Sequence, residues 1–352
     1  MLSKKSKGFF VEVSSFSILA ATTSQAIAPC TIESVREYPG DLDDPTFRSQ
    51  VEAMTPGKSA RYVPSQCAIY PVSRFFRRHT LESAAKAKDP RYFPDLMSQQ
   101  FRVEPSKNTA AVLLATSGAS FDPEKPMTAQ KELLIAGASN EEFARQQEDL
   151  VASRIYPESL ELGTLACLGG LMDYLRWSRV GHPVLMLEIT PHNSNLFVLN
   201  DGIVDLCRPI PYGLNSMFPI VQKELGLKDE ESARKLFYSN TFDFTEMGPI
   251  LMRKMLKELQ ASTGFYEVQT GQSIGSFVLT LLPRNLSWIR DVLVRDLGLR
   301  AMQLDYQGWL ASRKVELGSG VTFEESDPRW LGLLSMIGNL ATPKANGAQQ
   351  EV

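Results

Sequence analysis

Two segments of the chain carry an acid between aliphatic residues, followed by small polar side chains. They are Val11-Glu12-Val13-Ser14-Ser15 and Leu187-Glu188-Ile189-Thr190-Pro191-His192-Asn193-Ser194-Asn195. Each reads as a strand that carries its acid to a tight turn, with a second strand coming back. Such a turn can offer backbone amides to an anion, or it can close on itself as a capped hairpin loop. Polar strand-end acids satisfied by nearby amides are the simple structural reading of Glu12 and Glu188. The patterns G-x-x-x-x-G-K-[ST] and H-E-x-x-H do not occur. The four cysteines (30, 67, 167, 207) form no C-x-x-C pair, and the three histidines (79, 182, 192) are scattered. The cysteines therefore read as ordinary thiols and no metal site is expected.

The 352 residues are 43% hydrophobic and 22% charged, with 37 basic against 40 acidic side chains and a net charge of -3. That balance lacks the basic field of a dedicated nucleic-acid binder. Mean hydropathy is -0.15, and no run approaches the ~20 apolar residues needed to cross a bilayer. Lys4, Lys5 and Lys7 before an apolar stretch, with Ala26-Ile27-Ala28 beyond it, resemble a secretory leader. Glu12, Ser14, Ser15 and Ser17 interrupt that stretch, which favours the first strands of a soluble domain and a cytoplasmic protein.

Strand and helix patterns then alternate, the rhythm of an α/β fold. The patterns predict strands near 8–19, 26–28, 31–38, 110–115, 131–137 and 155–162, with a loop over 39–45. Helices are predicted at about 139–154 and 163–177. The second half repeats the opening: a strand at 183–190, then a hairpin over 196–204 turned by Asn200-Asp201-Gly202. Helices at 213–225, 229–239 and 248–264, a strand at 277–282, a helix at 285–297, a strand at 301–305 and a helix at 328–339 follow. Arg74, Arg77, Arg78, Lys86, Lys88 and Arg91 read either as a solvated face or as a surface meeting anionic lipid headgroups.

A β-hairpin opening each of two α/β halves resembles the actin-like ATPase superfamily. Cys207-Arg208-Pro209-Ile210-Pro211-Tyr212-Gly213, the acidic helix start Lys228-Asp229-Glu230-Glu231, the long helix running to Phe265-Tyr266, and Asp296-Leu297-Gly298-Leu299 resemble the PilM family in particular. PilM is the cytoplasmic actin-like component of type IV pilus assembly, related to FtsA. The resemblance implies duplicated RNase H-like lobes with an inserted small α/β subdomain. The first lobe would span 8–180, with the insertion at about 60–136. The second would span 181–340, and 341–352 would be a flexible tail.

Family members hold Mg-ATP between the lobes, with an aspartate before each glycine-bearing phosphate turn. Here the corresponding positions are Glu12 with Ser14 and Ser15, and Glu188 with Thr190 and Asn193, while one glycine of a later pair survives as Gly213. Pro191 has no N–H to give, Phe237 stands for the lysine that frames the adenosine, and Leu281-Leu282 replace a late glycine pair. Branched residues in such turns resist positive φ, so an altered backbone is expected there. The pattern implies a scaffold peripheral to the inner membrane without a nucleotide cofactor. Its partner would be the cytoplasmic tail of a PilN-like membrane protein, held in a groove between the first lobe and the insertion. Tyr70, Val72, Arg74 and Phe75 either line that groove or form a core strand. The alternative is a diverged ATPase that still binds ATP with magnesium.

Overall fold

The computed structural model describes residues 7–54, 61–126, 131–239 and 241–341; the expected tail beyond Ala341 lies outside them. The chain opens with β1 (Gly8–Val13) and β2 (Ser17–Thr23), an antiparallel hairpin, continued by β3 (Cys30–Pro39). After α1 (Pro45–Met54), β4 (Val63–Ile69) returns parallel to β1, and β8 (Ile155–Leu162) pairs parallel to β4. The second half repeats this design. Strands β9 (Val184–Ile189), β10 (Ser194–Asn200) and β11 (Ile203–Ile210) meander antiparallel. Strands β12 (Ser276–Thr280) and β13 (Arg300–Ala301) then add in parallel to β9. The orders β3-β2-β1-β4-β8 and β11-β10-β9-β12-β13 are therefore the same five-strand plan used twice. The centre of the second copy is covered on both faces: every residue of β9 and β12 is buried, as covered parallel strands require.

The insertion is a three-stranded antiparallel sheet of β5 (Phe75–Thr80), β7 (Glu132–Ser139) and β6 (Asn108–Leu114), in that order. Two helices, α2 (Ala84–Ala87) and α3 (Tyr92–Gln99), accompany it, and α4 (Asn140–Ala152) leads back to the first sheet. The insertion also touches the second lobe. Phe76 meets Phe197 edge to face at 5.4 Å, and the Val204 N–H donates to Ala115 O at 3.0 Å.

Helices α5 (Gly163–Ser178) and α11 (Leu331–Ala341) fill the space between the two large sheets. One buried cluster runs from Phe10 and Ala68 through Leu171, Leu334 and Ile337 to Phe197 and Val278, so the lobes share a core. A second core under the other sheet is built by α6 (Phe218–Glu224), α7 (Glu230–Tyr238), α8 (Gly248–Thr270) and α9 (Trp288–Leu297).

Several expectations need correction. The second lobe does not run unbroken to residue 340. After α10 (Tyr306–Ser312), β14 (Val315–Leu317) pairs with Cys30–Ile32 at the edge of the first sheet, and α11 lies against the first lobe's Gly170 through Ser335. The insertion begins after β4 rather than near 60, because Gln66–Ile69 pair with Phe10–Val13. The helix expected to end at 264 continues to Thr270 and stops where Gly271 takes φ +68. The strand expected over 26–28 is a bend, and that at 301–305 shrinks to two residues.

Candidate functional site

The two hairpin turns are built alike, and the acids on the strands that lead into them, Glu12 and Glu188, lie close enough to interact electrostatically. In the first, the hydroxyl of Ser14 accepts from the N–H groups of Phe16 (3.2 Å) and Ser17 (3.1 Å) and donates to Ser17 O at 2.9 Å. In the second, the hydroxyl of Thr190 accepts from His192 N (3.3 Å) and Asn193 N (3.1 Å) and donates to Asn193 O at 2.8 Å. A hydroxyl at the glycine position has thus turned each turn's amides inward, as Ser and Thr do when they compete for local backbone donors. Those N–H groups no longer point at the cleft. Ser15 is exposed at the tip of its turn. Gly213 lies behind the second turn, where a Cβ would come within 2.6 Å of the backbone of Pro191, His192 and Asn193; it lets Leu214 N and Asn215 N donate to Thr190 O and Pro191 O, both at 2.9 Å.

The two acids sit at equivalent strand ends but in different chemistry. Glu188 is fully buried, and Arg74 at the foot of the insertion reaches it with Nη2 at 2.5 Å and Nε at 3.2 Å. Thr164 Oγ1 donates to its other oxygen at 2.6 Å, and Asn195 Nδ2 donates at 2.9 Å. Arg74 is itself held by Pro71 O at 2.7 Å and lies over the Tyr70 ring at 5.2 Å. A guanidinium therefore occupies the place against Glu188 that a cation would take. This corrects the solvated-face expectation for Arg74, which is 7% exposed; Lys86, Lys88 and Arg91 are exposed as expected. It also corrects the amide-capped reading of Glu188, whose partners are side chains.

Among the described residues Glu12 has no ion-pair partner. The hydroxyl of Tyr70 donates to its Oε1 at 2.6 Å, while Oε2 faces Gly332 and the Leu333 N–H without a full hydrogen bond. Tyr70 can stand there because Gly163, opening α5, has no Cβ to meet its ring. Burial pushes the Glu12 carboxyl up to about 8, despite the Tyr70 hydrogen bond that opposes this. At neutral pH it is an uncharged acid.

The remaining space is small. A cavity of about 10 Å³ lies among Glu12, Ser14, Phe16, Leu281 and Leu282, room for about one water where small-molecule sites occupy roughly 300–1,000 Å³. Leu281 fills part of it while holding φ +64. The turn thus keeps a glycine-like backbone, against the expectation that it would change, and accepts the strain of a branched residue there. Phe237 is buried among Phe218, Tyr238, Phe244 and Trp288. A cavity of about 290 Å³ beyond Leu282 and Pro283 includes no residue of either turn. A magnesium-bound triphosphate does not fit these residues: it would have to displace Arg74, ionise Glu12 and turn four amides around.

Of the expected groove residues, Tyr70 and Arg74 are committed to these buried acids, and Phe75 is 7% exposed in the insertion's own core with Leu96, Met97 and Ile135. Val72 alone of the four faces solvent, at 49%. It lines a cavity of about 450 Å³ with Val13, Leu42, Arg145 and Asp149. The sequence places Asn195 in the second turn segment without pairing it with Glu188, and it does not single out Thr164. Asn195 was visible as the residue opposite Glu188 across the predicted hairpin, whereas nothing local to Thr164 marks it.

This architecture is the actin-like fold: two RNase H-like lobes, each opened by a hairpin, with helices between and an insertion in the first. Among solved structures the chain superposes on a chain of a PilM–PilN type IV pilus biogenesis complex with a TM-score of 0.66 and 14% identity, covering 96% of this chain and 99% of that one. More distant likenesses are an actin-like ATPase-fold protein from Bacteroides thetaiotaomicron (TM-score 0.43, 8% identity, 95% and 99% covered) and the cytoplasmic domain of EpsL of the Vibrio cholerae type II secretion system (0.40, 8%, 79% and 84%). No family model and no curated protein matches the sequence.

Proposed function

We propose that this chain is a PilM-like scaffold of a type IV pilus or type II secretion-like assembly complex. It would sit on the cytoplasmic side of the inner membrane and bind the tail of a PilN-like membrane protein without turning over ATP. The observation that carries the loss of nucleotide chemistry is Arg74 on Glu188, a built-in cation where a metal would be positioned. The end-to-end likeness to a PilM-complex chain supports the place in the machinery. Among the described residues no helix is long and apolar enough to cross a membrane.

Two measurements test this reading. Saturating Mg-ATP is expected to leave thermal unfolding unchanged. A nucleotide bound at a hundredfold excess over Kd would instead stabilise the protein by about 2.7 kcal/mol, and that shift would restore the ATPase reading. Calorimetry with the cytoplasmic tail peptide of the cognate PilN-like protein is expected to give saturable heat. Val72, exposed beside the cavity under Val13 and Leu42, is placed to receive an apolar side chain of an extended tail. Val72→Asp should weaken that binding about tenfold, the worth of one buried aliphatic side chain. Absence of heat with the wild-type protein sinks the partner assignment.

A further inference from the structure

Helix α8 has two unlike faces. Leu251, Met252, Met255, Leu256, Leu259 and Tyr266 are buried in the second core. The opposite side presents Ile250, Arg253, Lys254, Lys257, Phe265 and Val268 to solvent, with Ile250 39%, Phe265 57% and Val268 87% exposed. Steps of three, four and, between Lys257 and Phe265, eight residues keep them on one side of the helix, over about 27 Å at 1.5 Å per residue. None of the three cations has an ion-pair partner among the described residues. The two acids of this helix are engaged elsewhere: Glu258 pairs with Arg208 at 2.7 Å, and Glu267 Oε1 accepts from Ile274 N at 3.3 Å.

We propose that this row docks on an anionic lipid surface. Three free cations attract a negative occupant, and the apolar end at Phe265 and Val268 supplies area that such an occupant must cover. The row is a ridge rather than a pocket, and a Cβ at Gly264 in its middle would meet nothing within 4 Å. A protein partner gains most from concave, desolvated pockets, whereas a flat bilayer interface accepts a ridge of basic and apolar side chains. The chain as a whole carries a net charge of -3, so the local positive row would also set the orientation of the molecule on the membrane.

The test is co-sedimentation of the full chain with vesicles of neutral phosphatidylcholine, with and without 30 mol% phosphatidylglycerol. Binding is expected only to the anionic vesicles and should fall as salt rises. Each cation near such a surface is worth about fivefold in partition, so Arg253→Gln, Lys254→Gln and Lys257→Gln together should reduce it about a hundredfold. All three side chains are exposed, so the variant should melt with the wild-type protein, and Phe265→Ser should lower binding at either salt. Equal binding to both vesicle types, or none, overturns the proposal, as does wild-type partition of the triple variant. No binding would leave an acidic protein as the occupant of this face. The tail-peptide measurement is independent, so failure of one reading does not imply failure of the other.

Discussion

Replacing Arg74 by methionine lowers the stability of the protein by about 3–5 kcal/mol, the usual cost of stranding one member of a buried ion pair. Glu188 has no exposed surface, and without Arg74 its carboxylate keeps only the Thr164 hydroxyl and the Asn195 amide. Two neutral-donor hydrogen bonds do not replace a guanidinium in a dry site. Adding Glu188→Gln to the Arg74→Met protein should recover most of the loss, because an amide needs no counter-charge. The coupling in that double-mutant cycle, read from urea unfolding midpoints, should be about 2 kcal/mol or more. A single-variant loss under about 1 kcal/mol would match an exposed pair and would mean the cleft opens to water. The variant also separates two causes of nucleotide exclusion. Removing the guanidinium vacates the cation position, yet Ser14 and Thr190 still hold the amides of both turns and Pro191 still lacks one. Mg-ATP should therefore leave the Arg74→Met protein as unshifted as the wild type.

Arg74 also marks where sequence reading stops. Its partner lies 114 residues away, and a cation within a run of arginines and lysines carries no sign of which one turns inward. Local chemistry was legible by comparison. Asn200-Asp201-Gly202 predicted the β10–β11 turn, where Asp201 and Gly202 take φ +50 and +67, and Asp229 caps α7 by accepting from Ser232 N at 2.8 Å. The duplicated lobes were legible because Glu12 and Glu188 echo one another at equivalent strand ends. The missed helix α1 had a usable signal: Asp44 before Pro45, whose carboxylate accepts from Thr46 N (2.9 Å) and Phe47 N (3.0 Å), is a cap followed by a proline at the first helical position. The return of Val315–Leu317 to Cys30–Ile32 had none. Three residues are too few for a pattern, and their partner strand lies nearly the whole chain away. In the candidate site, the acids and turns were found from type and spacing, while Tyr70, Arg74 and Thr164, which hold the acids, arrive from the segment after β4 and from α5 by tertiary packing alone.

The Glu12→Gln protein should be less stable than wild type in acid and more stable in alkali, the two pH profiles crossing between. The folded-state pKa is raised from 4.5 to about 8 by burial, so the sign follows from proton counting. Below the unfolded value both states hold the proton and the wild-type protein has its full stability. Between the two values only the folded state holds it, unfolding releases a proton, and stability falls by about 1.4 kcal/mol per pH unit as pH rises. Above the folded value both states are ionised and the dependence ends, after a total loss on the order of 5 kcal/mol. Glutamine keeps the Tyr70 hydrogen bond but turns an amide towards the Leu333 N–H, which costs about 1–2 kcal/mol at every pH; it has no proton to lose. Glu161 is also pushed up by burial, to about 7, and contributes a parallel slope, so the informative quantity is the difference between the two proteins from pH 5 to 9. That difference should change sign. A flat difference would mean that Glu12 is ionised in the folded protein at neutral pH, which is the state a magnesium-positioning acid requires, and the first turn would again be a candidate for nucleotide chemistry.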